Sequence, residues 1–151
     1  INIFSFPKIY FDSFQQKFPN AFIHHQASLL VFDAMKKTDS FKQVHIDVYP
    51  DFFYATVIEN TRLLLSNTYC YTNLNEFVYH IINLYDKLEL NQQETKLYFS
   101  GEIEKEGKEV NILKDYIQNI CFAELPDCSF ISDFQTIPSH KMSKILVSCE
   151  L

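Results

Sequence analysis

The sequence predicts an α/β fold in which a three-strand meander is followed by alternating helices and strands on one mixed sheet. Three observations carry that prediction. "QVHIDVY" (43 to 49) alternates Val44, Ile46 and Val48 with His45, Asp47 and Tyr49, the period of two that sends successive side chains to opposite faces of a strand. Two further strand-like runs, "FFYATVIEN" and "RLLLSNTYCY", follow across short turn signals. Beyond them the apolar spacing lengthens to that of helices, broken by single strand-like stretches.

In chain order, "INIFSF" (1 to 6) reads as a strand. Pro7 opens a helix on which Phe11, Phe14 and Phe18 recur at helical spacing, since proline is tolerated in a first helical turn, and Pro19-Asn20 stops it. "AFIHHQ" (21 to 26) reads as a second strand. Ala27, Leu30, Val31 and Ala34 then mark a helix ending at Lys36-Lys37, where positive charge suits the negative end of the helix dipole.

The meander occupies 43 to 71, turning at Pro50-Asp51 and at Glu59-Asn60-Thr61. Asn73 and Glu76 have the spacing of a capping box, and Leu74, Phe77, Val78, Ile81, Ile82, Tyr85 and Leu88 carry a helix to about Leu90. "TKLYFS" is the next strand, and Val110, Leu113, Ile117 and Ile120 define the next helix. "CFAEL" reads as a short strand stopped by Pro126. Pro138 and Ser139 start a last helix with Met142, Ile145, Leu146 and Cys149 on its face.

The chain has 151 residues and is 47% hydrophobic, enough to bury a real core. Its net charge of −6 and scattered basic residues speak against a nucleic-acid backbone or an anionic membrane surface as partner. No apolar run is long enough to span a bilayer and no signal peptide is visible, so a cytoplasmic protein without membrane insertion is expected. Cys70, Cys121, Cys128 and Cys149 lack CxxC spacing and read as buried free thiols of a reducing compartment. His24 and His25 are adjacent on an expected strand and so face apart, while His45, His80 and His140 are isolated; no metal site is expected from them.

The element order from 43 onward is three strands, helix, strand, helix, strand, helix, and residues 1 to 37 repeat its strand, helix, strand, helix tail. That plan resembles the duplicated actin-like ATPase (RNase H-like) fold of sugar kinases, heat-shock protein 70 and actin. The chain is similar to an uncharacterised bacterial family carrying a degenerate version of it, and more distantly to the actin-like platform protein of type IV pilus assembly. The resemblance implies that 1 to 40 is the C-terminal part of a first actin-like half and 41 to 151 a second half. With Ile1 falling inside a strand-like run, the chain reads as the C-terminal portion of a longer protein, whose apolar surface around "NIFSF" is expected to self-associate or to meet a protein partner.

Active members of that superfamily carry, in the first hairpin of each half, an Asp and a close-approaching Gly that bring backbone amides to phosphate. The resemblance places Asp47 in the acidic position of "HIDVYPDFFYAT". The companion glycine is replaced: Tyr49 stands where backbone must approach the ligand, Pro50 has no amide hydrogen, and Asp51 adds a repelling charge. Thr56 matches a hydroxyl position, or is simply a strand residue. Ser100-Gly101 matches the place of the adenosine-contacting turn, with Glu102 where a second small residue is usual; the structural reading of Gly101 is a turn with positive φ. Gly107 reads as shaping a charged loop. No GxGxxG and no GxxxxGK[ST] occurs.

Asp47, Tyr49, Asp51, Ser100, Gly101 and Glu102 are therefore the candidate cleft residues, expected to face one vestigial site with no catalytic residue, cofactor or metal. The alternatives are an ATP-binding protein of the same superfamily and an RNase H-like nuclease drawing carboxylates from Asp47, Glu102, Asp127 or Asp133. The acidic charge and the lack of a basic track argue against the nuclease.

Overall fold

The computed structural model describes residues 4–36, 42–124 and 138–142. Its elements are α1 (Lys8–Lys17), α2 (Gln26–Lys36), β1 (Lys42–Val48), β2 (Phe52–Glu59), β3 (Arg62–Cys70), α3 (Leu74–Lys87), β4 (Lys96–Gly101), α4 (Lys108–Lys114) and β5 (Ile120–Phe122). The sheet runs β3-β2-β1-β4-β5, with β3, β2 and β1 antiparallel and β1, β4 and β5 parallel. The expected meander and the first strand after it are thus in place, and the sheet is mixed.

The alternation of β1 sorts the molecule into layers. Val44, Ile46 and Val48 stand with Ala55, Val57, Phe53, Leu97 and Phe99 on one face, where Phe77, Ile81, Leu84 and Tyr85 of α3 and Val110 and Leu113 of α4 cover them; all are buried. Phe53 meets the ring of Phe77 edge-on at 5.3 Å between centroids, a favoured aromatic geometry. On the opposite face the same strands present Gln43, His45 and Asp47, and α2 lies over that side with Leu30, Asp33 and Ala34 buried.

Local signals set the turns. Asn60 adopts φ 53° between β2 and β3, a conformation Asn tolerates better than most residues. Asn73 caps α3, its side chain accepting from the Glu76 amide at 3.0 Å, while Glu76 accepts from the Thr72 amide at 2.7 Å. The bonds from the Thr72 amide and then its hydroxyl hold the Glu76 carboxyl below its ordinary range, so its contribution is present above the unfolded pKa and fades as pH falls through the folded one.

Several expected elements differ. Residues 4–6 and 21–25 pair with no strand among the described residues; an apolar run becomes a strand only where a neighbour takes up its backbone groups, and the sheet offers these none. Residues 1–3 lie outside the described residues. The helix expected through Ile120 stops at Lys114: Ile117 is buried beyond it, and Ile120 begins β5, which ends at Phe122 and not at Leu125. Ser139–Met142 are helical as expected, whereas Ile145, Leu146 and Cys149 lie outside the described residues. Of the cysteines expected to be buried, Cys70 is exposed at the sheet edge and Cys121 only partly covered, both free. α1 has no buried residue, and Ile9, Phe14, Phe18 and Phe22 are all more than half exposed.

Packing outweighs capping in holding α3. Replacing Asn73 by Ala should cost about 1 kcal/mol, and Phe77 by Ala about 3–5 kcal/mol. Urea unfolding of both variants checks this; a penalty for Asn73→Ala equal to that of Phe77→Ala would show that the cap, and not the aromatic core, seats the helix.

Candidate functional site

β1 and β4 are parallel and in register, with Asp47 opposite Ser100 and Val48 opposite Gly101. The Tyr49-Pro50-Asp51 turn and the Gly101 turn therefore lie at the carboxyl ends of adjacent strands, where ligand sites of α/β sheets gather. The structure brings Asp47, Tyr49, Ser100 and Gly101 together, with Asp51 and Glu102 exposed beside them.

Each of these groups is engaged within the chain. The Ser100 hydroxyl donates to Asp47 Oδ1 at 2.6 Å, with Asp47 1% and Ser100 5% exposed. Asp47 Oδ2 is buried without a well-formed hydrogen bond among the described residues. The Tyr49 amide donates to the Phe52 carbonyl at 2.9 Å, and Pro50 has no N–H, leaving Asp51 as the one non-proline amide at the tip of the turn. The Asp51 carbonyl in turn accepts from the Tyr71 amide at 2.9 Å. Across the seam, the Glu102 amide donates to the Val48 carbonyl at 2.8 Å and the Ile103 amide to the Gly101 carbonyl at 3.0 Å.

Gly101 is a structural requirement of that seam. It sits at φ +85°, and a Cβ there would lie 2.3 Å from the Val48 carbonyl oxygen. The expected positive φ is present, and its cause is the close approach of two backbones. Gly107 forms the N-cap of α4, its carbonyl accepting from the Asn111 amide at 3.0 Å.

The Tyr49 ring stacks on Phe52 at 4.6 Å between centroids, and Tyr54 meets both rings edge-on. Its hydroxyl accepts from the side-chain amide of Gln26 at the start of α2, and its backbone carbonyl accepts from the Tyr71 hydroxyl. Burial first, then the charge of Asp47 and hydrogen bonding to it, raises the Tyr49 phenol well above its ordinary value, so the proton is retained. Tyr71 is also raised, by burial first and then by the charges of Glu109, Asp51 and Glu102. The mouth of the site is an acidic rim.

Gln26 and Tyr71 were not singled out by sequence reasoning. Each reaches Tyr49 across more than twenty positions of chain, and no local pattern marks such a contact. Thr56 is buried, and its hydroxyl has no hydrogen bond among the described residues. Of the carboxylates considered for a nuclease, Asp127 and Asp133 lie outside the described residues; among those described, no group of three or more His, Cys, Asp or Glu is arranged to hold a metal ion. No helix among the described residues is long and apolar enough to cross a membrane.

Gly101→Ala should cost at least about 2 kcal/mol, combining a left-handed backbone with a collision against main chain. Ser100→Ala should cost about 1–3 kcal/mol by stranding the Asp47 carboxyl group, whereas Asp47→Leu combined with Ser100→Ala should be milder than the sum of the two single changes. Denaturant unfolding of the three variants measures the coupling; strict additivity would show that the 2.6 Å contact contributes nothing.

Comparison with known proteins agrees with the fold. A crystal structure from Bacteroides thetaiotaomicron VPI-5482, described as a protein with actin-like ATPase fold and unknown function, superposes with a TM-score of 0.72 at 19% identity, covering 92% of this chain and 50% of that one. The chain thus spans half the length of that structure, and at this identity the likeness shows the fold: actin-like, with the β3-β2-β1-β4-β5 sheet described above. No curated protein matches the chain. Residues 1–120 match the family described as "Protein of unknown function (DUF3822)", and the chain belongs to that family.

Proposed function

We propose that this actin-like domain works through contact with other proteins and does not hydrolyse ATP. One observation carries the reading: most of the donors that a phosphate cleft needs are already used or missing. A phosphate held at such a hairpin relies on free backbone N–H groups. Here the Tyr49 and Glu102 amides donate to main-chain carbonyls, Pro50 offers none, and the Ser100 hydroxyl belongs to Asp47. The Asp51 amide sits on an acidic residue, beside a rim whose other carboxylates, Glu102 and Glu109, already raise Tyr71. Two unit charges about 4 Å apart near a surface interact by roughly 4 kcal/mol, so a polyphosphate entering here meets repulsion with few hydrogen bonds to offset it.

A scaffold in the cytoplasm that presents a rigid sheet to partners is the role this combination supports. The actin-like platform protein of type IV pilus assembly, distantly similar in sequence pattern, is a parallel for such a role. The exposed aromatic residues of α1 support the same reading, because apolar area of that kind marks interaction surfaces.

Thermal unfolding with and without millimolar ATP and magnesium tests the proposal. A ligand present at 100 times its dissociation constant stabilises the native state by about 2.7 kcal/mol, which raises the midpoint by several degrees. No displacement is expected. A saturable rise would replace this reading with that of an ATP-binding protein.

A further inference from the structure

The two faces of the sheet are chemically unlike. On the α3 side β1, β2 and β4 present Val44, Ile46, Ala55, Val57, Leu97 and Phe99. On the α2 side the same strands bury Gln43, Asp47, Thr56 and Ser100, and among the described residues Ile58 is the one buried aliphatic side chain there. α2 itself buries Leu30, Asp33 and Ala34. Neither Leu30, Ala34 nor Ile58 belongs to the contiguous core that α3 and α4 share with the sheet.

Two polar atoms on the α2 side are left short of partners. The Thr56 hydroxyl is buried and has no hydrogen bond among the described residues, and Asp47 Oδ2 has no well-formed one. A buried polar group without a partner destabilises the closed arrangement and recovers its hydrogen bonds once water reaches it. Lifting α3 would expose an aliphatic and aromatic surface and regain nothing. Lifting α2 exposes little apolar surface and rehydrates polar groups, so the two helices differ in how much their release costs. One bond links α2 to the candidate cleft: the side-chain amide of Gln26, its first residue, donates to the Tyr49 hydroxyl.

We propose that α2 is a displaceable cover, which leaves the sheet as a unit while the strands, α3 and α4 stay folded. Its departure uncovers Thr56 and Asp47 and unties the Tyr49 turn. In the closed state the helix is an inhibitory contact made within the chain, since it occupies a hydrogen-bonding face that it satisfies incompletely. A protein contact that holds α2 away from the sheet therefore shifts the population of the open form, and the effect reaches the cleft through Gln26 and Tyr49. The switch stands apart from the question of nucleotide binding, which the ATP titration scores separately.

Native-state amide exchange on the whole chain, followed at rising urea below the unfolding transition, tests the cover. The amides of 30–34 are expected to open at least about tenfold more often than those of 81–85, with little dependence on urea, because a local opening exposes little surface. Thr56→Val keeps the shape of the side chain and removes the unpartnered hydroxyl, and it should slow the opening of α2 by about fivefold or more. Gln26→Ala and Tyr49→Phe should each speed that opening by about threefold or more, and no further when combined. Asn73→Ala, at the cap of α3, should leave it unchanged. Because Gln26 lies at a helix start, its variant carries the test independently of how the Thr56 variant folds. Three results overturn the proposal: α2 amides that share the rate and the urea dependence of α3; a Thr56→Val effect seen in α3 and absent from α2; or strictly additive effects of Gln26→Ala and Tyr49→Phe, which would separate the helix from the turn.

Discussion

The parallel seam between β1 and β4 is the constraint on which the rest of the structure depends. It closes so tightly at its carboxyl end that residue 101 has no room for a side chain. In this register Asp47 lies opposite Ser100, which gives one oxygen of a buried carboxyl group the donor that burial demands. The same register places Ile46 opposite Phe99 on the far face, joining the meander to the core under α3 and α4. A slip of one residue would exchange the two faces, burying His45 and Asp47 beneath α3 and turning Val44 and Ile46 toward α2. Register, core and site are therefore one decision.

The site that results keeps the geometry of a ligand cleft while its chemistry turns inward. Two turns meet at the ends of parallel strands, yet the Tyr49 and Glu102 amides and the Ser100 hydroxyl are bonded to the chain itself. Tyr49 contributes on two levels. Its ring rests on Phe52, and its phenol proton is held in place by burial and by Asp47. Gln26 ties that hydroxyl to the start of α2, so the layer on the second sheet face is anchored to the same turn. The acidic rim adds a field that opposes anions and not cations.

Where periodicity is strict and one face is buried, the sequence was legible. The alternation of β1, the Asn73–Glu76 cap and the apolar face of α3 appear in the structure as read, because each is enforced over a few neighbouring residues. Gly101 was legible as a positive-φ turn, although the reason, the approach of Val48 from a strand 53 residues earlier, is not a local property. The strands expected at 1 to 6 and 21 to 26 show the reverse case. Apolar composition supplies a side-chain preference, but a strand also needs a backbone partner, and whether one exists is a matter of topology. The spacing of Ile120 from Val110, Leu113 and Ile117 predicts a helix, whereas it pairs with Leu97 in the sheet. The apolar neighbours of Cys70 predict a buried thiol; on an outer strand alternate residues face solvent regardless of their neighbours. Gln26 and Tyr71, which complete the surroundings of Tyr49, carry no signal in their own stretches of sequence.

The most direct test of the closed cleft is a titration of isotope-labelled protein with magnesium ATP, followed through the backbone amide resonances of Tyr49, Asp51, Gly101 and Glu102. The account predicts that these signals stay in place at millimolar nucleotide, since the Tyr49 and Glu102 amides are already bonded to Phe52 and Val48. Saturable downfield movement of the Asp51 and Glu102 amides would mean that a phosphate displaces those bonds, and the account would be wrong.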